Sequence, residues 1–127
     1  MEVLVDTSIW IDYFRSGENS TKLDYLIDEN LLVINDIILA ELLPLLTIRR
    51  ENEVVNLLTK IKNNPIQANW QEIIDFQVSC LKSGSTGIGI PDLLIAQNAI
   101  QNNTPIYSIN KYYGFIRNAG LGINQYV

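Results

Sequence analysis

Four oxygen-bearing side chains in this sequence could do chemistry together: Asp6, Glu41, Asp92 and Asn110. Glu41 is the clearest of them, because it lies in the run 37–46, which contains no other polar side chain. A carboxylate in apolar surroundings is costly unless it is paired, protonated or bound to a metal. If the three carboxylates cluster, they raise one another's pKa unless a cation lies among them. The chain contains no histidine, and hard oxygen ligands of this kind favour Mg²⁺ or Mn²⁺.

Each of these residues also has a purely structural explanation. Glu41 could lie on the exposed stripe of an amphipathic helix. Asp6 could be only a helix cap, and Asp92 only a favourable charge at a helix N-terminus. Asn110 could be only a turn residue. The secondary structure around each residue therefore decides how much chemistry to expect from it.

Apolar runs and helix-period patterns alternate along the chain. Strands are predicted at 3–5, 31–34, 66–68, 106–109 and 123–126. Helices are predicted from Thr7 or Ser8 to Gly17, from Asn19 or Ser20 through Ile27, from Asn35 or Asp36 with a kink near Pro44, and at 52–62, 70–82, 92–101 and 111–118. This alternation predicts an α/β domain with a mainly parallel sheet and right-handed crossovers.

In an open parallel sheet, the functional crevice lies at the carboxyl ends of the strands. Asp6 directly follows the first predicted strand, and Asn110 follows the strand at 106–109. Glu41 lies one to two turns into the helix after the second strand, and Asp92 begins the helix beside the strand at 106–109. We therefore expect the three carboxylates to approach to roughly 7 Å, because ligands lie about 2.0–2.6 Å from a shared cation.

Composition sets the broad class. The chain has 127 residues, of which 47% are hydrophobic, so we expect residues 1–127 to form a single globular domain. The sequence predicts neither a membrane span nor a signal peptide, and the lone Cys80 fits a reducing cytoplasm. The net charge of −5 is unlike that of a protein that holds nucleic acid by phosphate contacts alone. A nucleic-acid partner would require a metal among the carboxylates and locally gathered basic residues.

Four blocks of the sequence carry a family resemblance. Residues 3–12, VLVDTSIWID, look like the opening of PIN-domain ribonucleases, and closely like that of VapC-type toxins. Residues 37–43 resemble the second block of that family, with Glu41 at its acidic position, and residues 91–96 resemble the third. Residues 108–113 line up with the fourth block, where many members have an aspartate and this chain has Asn110. The blocks occur in the right order and span essentially the whole chain.

The resemblance implies a PIN-like three-layer sandwich with a mainly parallel five-stranded sheet flanked by helices. It implies Mg²⁺- or Mn²⁺-dependent cleavage of RNA, homodimers, and inhibition by a cognate antitoxin whose tail covers the site. In the mechanism we expect, a metal-activated water hydrolyses a phosphodiester. Asp6, Glu41 and Asp92 would hold the metal directly or through water, Asn110 would orient a ligand, and Ser8 could add a contact. Because an amide brings no charge, Asn110 weakens the case for a second tightly bound metal.

Two rival interpretations remain open. A signalling receiver domain also has an acidic pocket at its strand ends, and Lys111 superficially fits its lysine. Receivers, however, need adjacent acidic residues after the first strand, where this chain has Asp6 alone, and a phosphorylatable aspartate after the third. The other rival is a catalytically inactive PIN fold that only binds RNA or protein, and Asn110 keeps this alternative open.

Several apolar and aromatic side chains have expected locations. Packing is expected for Trp10, Trp70, Tyr112 and Tyr113, rather than stacking on bases. For self-association, the candidates for an uncovered apolar surface are Ile38, Leu42, Leu45, Leu46, Leu57 and Leu58.

Overall fold

A parallel sheet forms the centre of the protein in the computed structural model, which describes residues 1–15, 17 and 20–126. The described strands are β1 (Val3–Val5), β2 (Leu32–Ile34), β3 (Lys62–Asn63) and β4 (Ile106–Tyr107). Their spatial order is β3-β2-β1-β4, and every pairing is parallel. β1 and β2 are buried throughout, as expected for strands covered on both faces. All four strands therefore end at one edge, here called the carboxyl edge of the sheet.

Helices fill the connections between these strands. They are α1 (Thr7–Phe14), α2 (Ser20–Asp28), α3 (Asp36–Ile48), α4 (Asn52–Lys60), α5 (Trp70–Lys82), α6 (Ile90–Gln101) and α7 (Tyr112–Asn118). The N-cap side chain accepts a backbone hydrogen bond from its own helix at α1, α3 and α5, where the caps are Asp6, Asn35 and Asn69. The predicted α/β class, with a parallel sheet flanked by helices, is confirmed. The possible helix start at Asn19 lies outside the described residues.

The expected fifth strand is reduced to a single bridge in the described residues. Gln125 bridges Ile106 in parallel, with Ile106 N donating to Asn124 O at 2.9 Å and Tyr126 N donating to Ile106 O at 2.8 Å. β4 contains only two residues, so it offers a short ladder to a neighbour. The segment that leads to the bridge passes through Gly120 and Gly122, both with positive φ.

Two strand predictions were wrong in their limits. The strand predicted at 66–68 is instead β3, four residues earlier; its ladder ends where Asn64 N donates to Ile34 O at 2.8 Å. Pro65 follows and has no N–H with which to continue pairing. The strand predicted at 106–109 ends at Tyr107, because the next backbone N–H groups bond to side chains. Ile109 N donates to Ser8 Oγ at 3.2 Å, and Asn110 N donates to Ser108 Oγ at 2.9 Å.

The core differs from expectation at some apolar residues. α3 continues through Pro44, which is exposed. Trp10 is buried as expected, whereas the prediction that Trp70 packs in the core was wrong, since it is 59% exposed. Of the residues expected to be uncovered on α3 and α4, Leu45 and Leu57 are exposed; the others are buried in the core, namely Ile38, Leu42, Leu46 and Leu58.

No helix among the described residues has the length and apolar character that a bilayer crossing requires.

Candidate active site at the carboxyl edge of the sheet

Asp6 lies at the end of β1 and is 5% exposed. Its backbone is extended, and its Oδ2 accepts from Ser8 N at 3.4 Å, so Asp6 does cap α1. The same oxygen also accepts from Ser8 Oγ and Ser108 Oγ, each at 2.9 Å. All three of these bonds end on Oδ2. Asp6 is therefore more than a cap, because its carboxylate also accepts from two hydroxyls, and one of them follows β4.

Glu41 reaches the same edge from α3. Thr7 Oγ1, at the start of α1, donates to Glu41 Oε1 at 2.9 Å. Desolvation is the largest influence on this carboxyl and raises its pKa, while the Thr7 hydrogen bond opposes the rise. The negative charges of Asp6 and Asp92 raise the pKa further. Glu41 is thus exposed, as the exposed-stripe explanation expects, but it also lies within electrostatic range of the other two carboxylates.

Asp92 lies in the first turn of α6 and is half-buried. Its Oδ2 accepts from Gly89 N at 3.2 Å, which satisfies one backbone donor at the helix start. Desolvation raises the pKa of Asp92 most; the Gly89 hydrogen bond lowers it and the charge of Asp6 raises it. Asp92 therefore does stabilise the start of α6, and it also lies within electrostatic range of Asp6.

The acidic site, defined as Asp6, Glu41 and Asp92, therefore consists of three carboxylates within electrostatic range of one another. None of them takes part in an ion pair among the described residues. Within that same part of the chain, no three Asp, Glu, His or Cys side chains are placed to hold one ion directly. Each of the three carboxylates instead accepts a hydrogen bond from another donor: Asp6 from Ser8 and Ser108, Glu41 from Thr7, and Asp92 from Gly89. The closer approach expected for a shared cation stays a prediction.

Two hydroxyls connect the site to the end of β4. Ser8 Oγ and Ser108 Oγ lie 3.1 Å apart, and both contact Asp6. We did not predict Ser108 as a site residue. No sequence signal indicated it, because the strand predicted at 106–109 included Ser108, whereas β4 ends at Tyr107 and leaves Ser108 at the same edge as Asp6.

Asn110 is placed differently from the three carboxylates. Its Oδ1 accepts from Tyr112 N at 3.0 Å, so its side chain forms a turn that starts α7. Its backbone N–H bonds to Ser108 Oγ, which ties this turn to the site. The described hydrogen bonds do not join the Asn110 side chain to the acidic site. Its role in orienting a ligand stays a prediction.

Tyr113 is a second residue at this edge that we did not single out for the site. It is 0% exposed, in agreement with the expectation that it packs. Burial raises its pKa most, and the negative charges of Asp6, Asp92 and Glu41 raise it further. Its hydroxyl lies near Asp6, but it makes no hydrogen bond of standard geometry to the described residues. No sequence pattern distinguishes this tyrosine from an ordinary core aromatic residue.

A groove of about 420 Å³ adjoins the site at Glu41. Its walls come from α1, α3 and the start of α4, and they are mostly apolar with two arginines and a second glutamate: Ile11, Phe14, Arg15, Leu42, Leu45, Leu46, Arg49, Glu51 and Val54. Arg15 and Arg49 bring positive charge into this groove, and Glu41 and Glu51 bring an equal negative charge.

The structure is similar to the crystal structure of VapBC2 from Rickettsia felis bound to a DNA fragment from its promoter, with a TM-score of 0.73 and 21% identity over 99% of this chain and 98% of the other. It is also similar to the crystal structure of FitAcB from Neisseria gonorrhoeae, with a TM-score of 0.68 and 21% identity over 98% and 96% of the two chains. No curated protein sequence matches the chain.

The sequence model of the PIN domain matches residues 3–108, which run from β1 past the end of β4 and include the whole acidic site. This match covers most of the chain. It agrees with the parallel sheet, whose carboxyl edge carries acidic side chains. The chain belongs to the PIN domain family.

Proposed function

We propose that this protein is a metal-dependent ribonuclease that hydrolyses RNA phosphodiester bonds, and that it is the toxin of a toxin–antitoxin pair. One observation carries the proposal: burial and the charge of neighbouring carboxylates raise the pKa of Glu41 and of Asp92 at the carboxyl edge, and no cation among the described residues pairs with these groups or with Asp6. Such an arrangement is costly without a positive partner. PIN domains are generally nucleases, which agrees with a catalytic role for this edge.

A divalent cation fits the chemistry of these donors, since all are hard oxygens. Asp6, Glu41 and Asp92 would hold Mg²⁺ or Mn²⁺, partly through water, because the carboxylates are not gathered as three direct ligands. Bound there, the cation would stabilise charge developing on the phosphodiester and lower the pKa of water. Ser8 and Ser108 fix the Asp6 carboxylate through hydrogen bonds to Oδ2. Thr7 holds Glu41 at the rim of the site.

The proposed partner is a cognate antitoxin whose tail lies in the groove beside Glu41. The groove is apolar enough to accept Leu- or Phe-like side chains, and Arg15 and Arg49 would pair with acidic ones. Occupation of the groove would cover the acidic site, because Glu41 belongs to both. The structural neighbours support this partner, since one of them is a VapBC2 assembly. We further infer a cytoplasmic protein, in agreement with Cys80, which is a buried free thiol.

We also infer a homodimer. The best-suited surface is the outer face of α5 with the start of α6, where five apolar side chains are 43–59% exposed: Trp70, Ile74, Val78, Leu81 and Ile90. Burial of this face against a second copy would remove contiguous apolar area from water.

A second candidate function is an inactive PIN fold that binds RNA or protein without cleaving it. The observation that favours it is Asn110, which adds no charge and uses its Oδ1 in the turn that leads into α7. The two candidates make opposite statements about turnover, so one assay separates them.

The test is cleavage of RNA by the purified protein with Mn²⁺ and with chelator, beside the variant Asp6→Asn. We expect cleavage that chelator abolishes, and a loss of about 10²-fold or more in the variant, as for removal of a group that acts on the transition state. Asn also caps helices well, so a cap role alone predicts no loss. The control is Asp75→Asn, which removes an exposed carboxylate from α5 and should leave cleavage unchanged. Full activity in Asp6→Asn would mean that the catalytic assignment is wrong.

A further inference from the structure

The hydroxyl of Tyr113 has no part in the function proposed above. Tyr113 is fully buried on α7, and its Oη makes no standard hydrogen bond within the described residues. A buried polar group without a partner costs free energy. For this reason, an unpaired group in a native protein commonly marks a place where an ion or water belongs.

The surroundings of this hydroxyl indicate what it would bind. It lies near Asp6, and the charges of all three carboxylates act on it. A phenol keeps its proton at neutral pH, so this hydroxyl is a hydrogen-bond donor. A carboxylate oxygen of the acidic site is a suitable acceptor for it. Asp6 offers such an acceptor, and Ser8 and Ser108 both bond to its Oδ2.

Not every unpaired buried group in this protein has such surroundings. Thr104 Oγ1 also lacks a partner among the described residues, and Thr104 is 7% exposed. It lies before β4, at the opposite edge of the sheet from the acidic site. Thr104 therefore provides a matched reference, since it is a buried hydroxyl without a partner and without neighbouring site carboxylates.

We propose that Tyr113 is a positioning residue for the acidic site, whose hydroxyl donates to Asp6 or to a water beside Asp6 when a divalent cation is bound. This inference rests on the proposed function, since it requires the cation. In the metal-free protein two serine hydroxyls bond to Oδ2 of Asp6. A further donor would restrain the carboxylate and help to hold it toward the cation.

The experiment measures Mn²⁺ binding by titration calorimetry and the melting temperature without metal, for the parent, Tyr113→Phe and Thr104→Val. Both variants remove an unpaired buried hydroxyl, so both should melt at the same or a higher temperature than the metal-free parent. Only Tyr113→Phe should weaken Mn²⁺ binding, by roughly threefold to tenfold, the range expected for one hydrogen bond.

The outcomes separate this inference from the proposed function. If the parent binds Mn²⁺ and Tyr113→Phe binds it equally well, the positioning role is overturned and the metal site stands. Equal weakening in Thr104→Val would also overturn it, because the effect would then be unrelated to the acidic site. If the parent does not bind Mn²⁺, both proposals are overturned.

Discussion

Two strand ends at the carboxyl edge carry buried polar residues in equivalent positions. Asp6 follows β1 and caps α1, whereas Asn35 follows β2 and caps α3. Asn35 is 0% exposed; its Oδ1 accepts from Ile38 N at 3.0 Å, and its Nδ2 donates to Asn98 Oδ1 at 3.1 Å. The two residues are nearly isosteric, yet one carries a charge and the other does not.

Asn98 completes the neutral side of this comparison. Its Nδ2 donates to the carbonyl oxygens of Asn64 at 3.1 Å and Pro65 at 3.2 Å, which joins α6 to the segment after β3. The side-chain amides of Asn35 and Asn98 thus satisfy each other and the backbone, as in a polar network that fixes packing. The acidic site differs from this network, because none of its negative charges is paired with a cation among the described residues. The two strand ends therefore differ in one respect: the amides at the end of β2 satisfy each other, whereas the carboxylate at the end of β1 lies among like charges and has no cation partner in the part of the chain that the structure describes.

Exchanging the two residue types should give the largest effect on stability. Asn35→Asp places a charge in the closed network and turns an acceptor toward Asn98 Oδ1, which should cost about 3–5 kcal/mol, as for an uncompensated buried charge. Asp6→Asn should leave the metal-free protein equally stable or more stable, because it relieves repulsion with Glu41 and Asp92. Urea unfolding measures both changes. Equal losses would show that Asp6 is as structural as Asn35.

A smaller effect should appear in the dependence of stability on pH. The raised pKa values of Glu41 and Asp92 mean that the folded metal-free protein binds these protons more tightly than the unfolded chain. Their contribution is present below the ordinary carboxyl pKa of about 4 and is lost as pH rises through the raised values. The unfolding free energy should therefore fall over that window.

The control for this prediction is Glu41→Gln, followed by urea unfolding at a series of pH values. It should make the decline shallower, whereas the amide network around Asn35 has no titratable group and contributes no slope. A decline that is equally steep in Glu41→Gln would place its origin elsewhere in the chain.

The smallest expected effect concerns the charge count of the site. Asn110→Asp would add a negative charge near Ser108 while keeping the turn, since aspartate forms such turns as well. Affinity for divalent ions depends on ligand charge, so Mn²⁺ binding should tighten by about threefold, or roughly 0.7 kcal/mol. Asn124→Asp makes the same charge change at an exposed position beside β4. If calorimetry finds the same Mn²⁺ affinity in both variants and in the parent, Asn110 has only its structural role in the turn.

The sequence predicted the elements better than it predicted the details of the site. Alternating apolar runs and caps located β1, α5 and α6 closely, because burial and capping are local properties of the chain. The placement of β3 failed, since pairing with β2 and the missing N–H of Pro65 determine where it ends. Trp70 was misplaced because apolar character does not tell whether a helix face meets the core or a second molecule.

At the site, Asp6, Glu41 and Asp92 could be named in advance from their positions after strands and at helix starts. Ser108 and Tyr113 could not, because their importance comes from contacts across the sheet edge. The distance of 2.9 Å from Ser108 Oγ to Asp6 Oδ2 joins residues 102 positions apart. No local pattern reports such a pairing.

The single bridge beside β4 has a consequence for local stability. β1 is an interior strand with two neighbours, whereas β4 is held by β1 and by the bridge at Gln125. Fewer buried hydrogen bonds mean that β4 can open locally at a lower free energy than β1. The two sides of the candidate site therefore differ in local stability. The side at β1, which carries Asp6, opens less readily than the side at β4, which Ser108 follows. Local opening of β4 would break the hydrogen bond from Ser108 to the Asp6 carboxylate while the rest of the core stays folded.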